Sequence, residues 1–295
     1  MIFILTFAFA LVVLLFLPDN VLAWGPATHM QLGWNILNNL SMIIGPVRSL
    51  IETYPYDYLY GCISADIVVG KRFARALNHC HNWNVGFKVL EKADSQSQKA
   101  FAYGYLSHLA ADTIAHNYFV PEKMVTAYST RLLRHFYWEM RFDAMADRMV
   151  WNLPYKIMEQ VHQDNDPLLE RVIWDTLLSF KTNKTIFNNV LLLHRMEQWH
   201  KMINKLSSYS RWGLHEEDVT IYYQRSFNAV IDIMNNHQNA GCLIEDPAGR
   251  KNLAMAKRLR RRMKLRKMVG MPVNMPVFPF KEVSHPAEEI WTNRA

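Results

Sequence analysis

Glycine is scarce in this chain, eleven residues in 295. No Asn-Gly or Asp-Gly pair occurs, so the tight two-residue turns of β-hairpins have no local signal. Cysteine is scarcer still. Cys62, Cys80 and Cys242 are odd in number, which excludes a disulfide framework and allows at most one internal bridge. Cys62–Cys80 is the conceivable pair in an oxidising compartment, and buried free thiols are the alternative. No glycine-rich phosphate loop, no Ser/His/Asp arrangement and no repeat of fixed period is evident. Leu, Met, Ala, Lys and Arg fill the chain instead, and half its residues are hydrophobic. That supports a sizeable core and speaks against general disorder. The composition predicts an all-α fold.

The first 23 residues, MIFILTFAFALVVLLFLPDNVLA, lack Lys and Arg. They otherwise read as a secretory signal, an apolar core followed by a breaker and a small-residue cleavage site. Cleavage after Ala23 would begin the mature chain at Trp24, in a secreted or otherwise extracytoplasmic protein. An uncleaved, membrane-associated anchor is the alternative. Acidic residues are missing elsewhere. Residues 250–268, RKNLAMAKRLRRRMKLRKM, hold ten cations and no carboxylate, and in a chain of net +7 that leaves the remainder at −3. Such a run is either a solvated face or a surface for anionic lipid.

Apolar periodicity predicts helices over 28–40, near 47–52, from about 84, over 97–118 up to Pro121, and over 122–151, 154–163, 166–181, 183–207, 215–237 and 247–268. Thr28 is a plausible N-cap for the first. The stretch YGCISADIVVGKRF reads as a loop at a helix end. The organisation expected is a signal segment (1–23), one helical domain (24–240), and a basic helix with a proline-rich irregular tail (241–295).

Residue types that bind metal crowd the first half of the mature chain: His29, Asp66, His79, His81, His108, Asp112, His116, His135 and Glu139. A four-residue step on a helix overshoots a full turn by about 40° and rises about 6 Å. His108, Asp112 and His116 therefore form one drifting stripe, and His135 with Glu139 repeats the His-x3-carboxylate interval. Burying such a stripe without compensation is costly. Zinc, which takes imidazole nitrogen and carboxylate oxygen at about 2 Å, supplies it.

The blocks WGPATH, GCISAD, HCHNW, SHLAADTIAH and HFYWE, in that order over residues 24–150, resemble the ligand blocks of the zinc-dependent phospholipase C family. That superfamily also holds single-strand nucleases and the catalytic domain of glycosylphosphatidylinositol-specific phospholipase D. The resemblance implies a single multi-helix bundle with a cleft for three Zn2+ ions. On it, Trp24 would ligate through its free amine and carbonyl beside His29, and Asp112 would bridge that ion to a second on His81 and His108. His116, His135 and Glu139 would hold the third. Asp66 would act as ligand, as general base, or as both. His79 competes with His81, which leads the His-Asn-Trp block and is favoured.

The four-residue step from Asp112 to His116 looks like the phospholipase D branch, the step from Trp24 to His29 is nuclease-like, and Glu139 follows phospholipase C. The implied activity is hydrolysis of phospholipid, of C or D type, at a membrane surface. A single-strand nuclease, with aromatics stacking bases, is the runner-up, ahead of a non-catalytic metal-stabilised protein at the membrane.

Overall fold

The computed structural model describes residues 24–68, 80–129, 136–153, 162–173, 178–195 and 213–274, with Ile157, Lys201 and Lys205. Every regular element among the described residues is helical, so the all-α expectation holds. In chain order the helices are α1 (Pro26–Asn38), α2 (Gly45–Thr53), α3 (Pro55–Ser64), α4 (Trp83–Glu91) and α5 (Gln96–Ile114). A π-helical segment (Ala115–Phe119) leads into α6 (Val120–Thr126). Then follow α7 (Phe136–Asp143), α8 (His162–Val172), α9 (Phe180–Arg195), α10 (Glu216–Asn236) and α11 (Arg250–Met268). No described helix is long and apolar enough to cross a membrane.

Helix α5 is the axis of the bundle. Ser95 caps it, its hydroxyl accepting from the Gln98 N–H at 3.2 Å. From Gly104 to Ile114 every residue is buried, as expected of a helix covered on all sides. Helices α3, α4 and α10 pack around it. The crossing with α3 is very close, because Gly61 and Gly104 face each other. A Cβ on Gly61 would stand 2.0 Å from the Phe101 carbonyl oxygen, and one on Gly104 2.0 Å from that of Tyr58. Only glycine admits two backbones so near each other.

Helix α1 begins at Pro26, with Gly25 rather than Thr28 at the N-cap position, and its capping group comes from across the fold. The buried Asp143 carboxylate accepts from Thr28 N (2.7 Å), Thr28 Oγ1 (2.9 Å) and Ala27 N (3.4 Å). Two of the four amide donors that a helix N-terminus leaves open are thereby satisfied, with a negative charge at the positive end of the dipole. Gly25 makes room for this, since a Cβ there would lie 2.3 Å from the Asp143 carboxyl carbon.

Several expected boundaries move. The axial helix does not stop at Pro121 but widens into the π segment and continues as α6. Proline has no N–H to return to the carbonyl four residues earlier. That carbonyl, on Asn117, instead accepts from Asn252 Nδ2 at 3.3 Å. The expected helix over 122–151 breaks at a turn over 127–129, and its central part is α7. Asp166-Pro167 and Thr182-Asn183 do not separate helices but lie within α8 and α9. GCIS, expected in a loop, is the end of α3. All three cysteines are buried free thiols, and burial pushes that of Cys62 up to about 12. Helix α11 lies against α6 and the π segment, turning Leu253, Ala256, Arg260 and Met263 inward. The 1–23 segment, His79 and His135 lie outside the described residues.

Candidate metal centre

The site grows from α5. His108 and Asp112, one turn apart, stand in its fully buried C-terminal half. The glycine crossing brings the Cys62 carbonyl within 2.8 Å of His108 Nδ1. That ring nitrogen donates the hydrogen bond, which leaves Nε2 with its lone pair facing Asp112 and His81, as outer partners of metal-binding imidazoles do. Asp66 follows α3 in a turn, its N–H on the Ile63 carbonyl at 3.3 Å. His81 precedes α4 in a short pinned segment. Tyr105 of α5 donates to the Cys80 carbonyl at 2.6 Å, and Asn82 caps α4 through the Asn84 N–H at 2.8 Å. His29 comes from the second turn of α1, its ring stacked on that of His108 at 3.8 Å and 12°.

These side chains converge on Asp112. His29 Nε2 is 3.1 Å from Oδ1, while His81 Nε2 and His108 Nε2 are 2.9 and 3.2 Å from Oδ2. His81 Nε2 and His108 Nε2 are 3.1 Å apart, and Asp66 Oδ1 lies 3.4 Å from the former and 4.0 Å from the latter. Two donors on one tetrahedral ion at 2.0–2.1 Å would stand about 3.3 Å apart. His29 Nε2 and both Asp112 oxygens are sealed from solvent and make no well-aligned hydrogen bond, although buried polar atoms rarely go without one. Two overlapping triads have the right donors within 4.8 Å of one another: His29, Asp66 and His108, and His81, His108 and Asp112. The residues present fit zinc.

The electrostatics agree. Burial alone would push the Asp112 carboxyl up, but the imidazoles of His108 and His29 outweigh it and hold the group well below the usual carboxylate range. Burial, with His29 beside it, pulls His108 down to about 4. An ionised carboxylate facing neutral imidazole is the protonation state that metal binding requires.

His116 belongs to neither triad, although its ring lies 6.4 Å from that of His81. The π segment re-aims it, as such bulges often do at functional sites, toward Glu139 on α7, with Nε2 4.0 Å from Oε1. Its Nδ1 donates to the Pro247 carbonyl at 2.5 Å. His116 and Glu139 are thus a second, separate donor pair. Trp24 is fully buried between Phe119 and Phe142, ring centroids 4.9 and 3.9 Å away. Its indole N–H donates to the Ala111 carbonyl (3.1 Å) and to Ser226 Oγ (3.2 Å). The residue before Asp112 therefore anchors it, which leaves its main chain for any ligating role.

Supporting residues escaped sequence reasoning. Asp143 follows Glu139 by one turn, an interval that could have drawn attention to it. Cys62 and Pro247 act through their carbonyls, for which no residue-type signal exists.

The family model for zinc-dependent phospholipase C matches residues 28–208. No curated protein and no solved structure matches the chain.

Proposed function

The chain belongs to the zinc-dependent phospholipase C family, and from that premise we propose that it is a secreted phosphodiesterase that cleaves phospholipid headgroups from a membrane surface. At family level this is a zinc enzyme acting on phospholipids; the type of cleavage, the three ions and the roles below are our reading. The observation that carries it is the convergence of His29, Asp66, His81, His108 and Asp112, in which His29 Nε2 and both Asp112 oxygens are buried without an aligned hydrogen bond.

In this reading His29, the Trp24 main chain and Asp112 would hold one zinc ion, and His81, His108 and Asp112 a second. His116 and Glu139, with His135, would hold a third. Zinc bound there supplies charge for the phosphate oxygens and lowers the pKa of water toward 7. The protein does the rest. The Asp66 carboxylate, beside His81 and His108, takes the proton of the attacking water. Cys62 and Pro247 hold the His108 and His116 rings by their Nδ1 atoms, so that neither ring swings during turnover. The buried walls around Asp112 exclude bulk water and strengthen every charge interaction within.

The test is metal stoichiometry on untreated protein, then turnover of a phospholipid panel beside single-stranded DNA, with chelator controls. Zinc with chelator-sensitive release of a phosphorylated headgroup is expected. Absence of zinc in folded protein, or release of nucleotides but of no headgroup, overturns the reading. Glu139, where the nuclease branch has Asp, favours the phospholipid.

A further inference from the structure

Helix α11 is the largest feature that the metal chemistry leaves unused. Its 19 residues, about 28 Å of helix, carry ten cations and no carboxylate. With Leu253, Ala256, Arg260 and Met263 turned inward, the opposite face meets solvent through Lys251, Met255, Arg258, Arg261, Arg262 and Leu265. Among the described residues no carboxylate pairs with Lys251, Arg258, Arg261 or Arg262; Arg250 pairs with Asp246 at 3.7 Å at the root of the helix.

A face shaped for solvation alone would be polar throughout. This one sets Met255 and Leu265 among arginines and runs on into Met268, Val269 and Met271, which are 81%, 69% and 50% exposed. Six of the eleven exposed large hydrophobics among the described residues fall between Ile244 and Met271, so the apolar exposure is concentrated where the cations are. That combination complements an anionic bilayer, guanidinium groups meeting headgroup phosphates while apolar side chains enter the acyl boundary. Nucleic acid would match the charge but offer the methionines and leucine nothing.

The helix is also fastened directly to the metal centre. Gly249, in the left-handed region at φ +56°, lies so close to His116 that a Cβ would stand 2.4 Å from the His116 carbonyl oxygen. Pro247 accepts from the His116 ring. Asn252 Nδ2 reaches the Asn117 carbonyl and Oδ1 at 3.3 and 3.1 Å, and Asn117 Nδ2 donates to the Asp246 carbonyl at 2.9 Å.

We propose that α11 is a docking helix for anionic phospholipid surfaces, and that its root over residues 246–252 fixes the cleft against the bilayer through His116 and Asn117. The purpose of docking rests on the phospholipid reading above, whereas docking itself needs no turnover. The test is co-sedimentation of the full chain with vesicles rich in phosphatidylserine, with pure phosphatidylcholine vesicles and single-stranded DNA as competitors. The parent should bind the anionic vesicles, less so at high salt. An R258Q/R261Q/R262Q variant with an unchanged unfolding midpoint should bind them on the order of a hundredfold more weakly, each surface cation contributing near an anionic leaflet.

Equal binding by variant and parent, equal binding to pure phosphatidylcholine, or preference for DNA would overturn the proposal. Asn252→Ala tests the root: it should keep vesicle binding yet lower turnover on vesicles more than on a soluble short-chain phospholipid, and an equal fall on both would refute the coupling. The two readings fail separately. A chain that docks in this charge-dependent way but hydrolyses no phospholipid loses the substrate assignment alone. One that hydrolyses soluble phospholipid without docking loses the docking helix alone.

Discussion

Replacing Asp143 with alanine tests whether a carboxylate on α7 holds the helix that delivers His29. The substitution leaves Thr28 N, Thr28 Oγ1 and Ala27 N without their acceptor in a buried place. Loss of a cap costs about 0.5–2 kcal/mol, and each buried donor left unsatisfied costs about 1–3 kcal/mol. Loss of a charge at a partly buried helix end adds up to about 2 kcal/mol. The three effects overlap, so we expect about 3 kcal/mol in all, which in a domain of this size lowers the unfolding midpoint by about 6–12 °C. Asp143→Asn, which keeps one oxygen for Thr28, should lose about half as much. The assay is thermal unfolding followed by circular dichroism with chelator present, so that bound metal does not mask the difference, beside zinc analysis of the untreated variants. Asp143→Ala should also retain less zinc, because α1 is freed to move His29 off Asp112. Melting within a degree or two of the parent, or a lower midpoint with zinc unchanged, would refute the reasoning.

Gly25→Ala should destabilise in the same assay, since its new Cβ would meet the Asp143 carboxylate at 2.3–2.7 Å. Gly104→Ala, with a Cβ 2.0 Å from the Tyr58 carbonyl, should cost more than about 3 kcal/mol or prevent folding, measured as soluble yield and midpoint. His108→Ala and Asp112→Asn should each lower zinc content and activity together, read by elemental analysis beside turnover; full zinc in either would remove that residue from the ligand set. In metal-free protein, His108 is pulled from 6.5 to about 4, so between those values the unfolded chain binds a proton that the folded chain refuses. Stability is then highest above pH 6.5 and falls as pH drops toward 4, by up to about 3 kcal/mol. Denaturant titrations across that window check this, and Asn in place of His108 should flatten the slope.

What was legible in the sequence follows from where the physical cause lies. His108 and Asp112 could be read as neighbours because the four-residue interval is a property of the helix they share. His29, Asp66 and His81 could be suspected from residue type and block order, and the fold brings them to Asp112. His116 could not be placed by interval, because it lies in the π segment, and that segment is met by Asn252, 135 residues after Asn117. The cap of α1 was misplaced at Thr28 for a similar reason, its acceptor lying 115 residues downstream. The break in the 122–151 helix has no glycine or proline to announce it, only Ser129 in the turn over 127–129, and apolar periodicity continues past it. The glycines of the α3–α5 crossing carried no signal singly, since their meaning lies in facing each other.

The contacts that frame the metal centre span 46 residues from Cys62 to His108, 115 from Thr28 to Asp143 and 131 from His116 to Pro247. Closing such loops lowers chain entropy before any contact repays it, which slows folding. As the chain leaves the ribosome, His116 has no Pro247 carbonyl to meet until nearly 250 residues have been made. The donors on α5 are in place long before their supports. The candidate site therefore cannot be completed before that turn, which lies beyond the segment matched by the family, has been made.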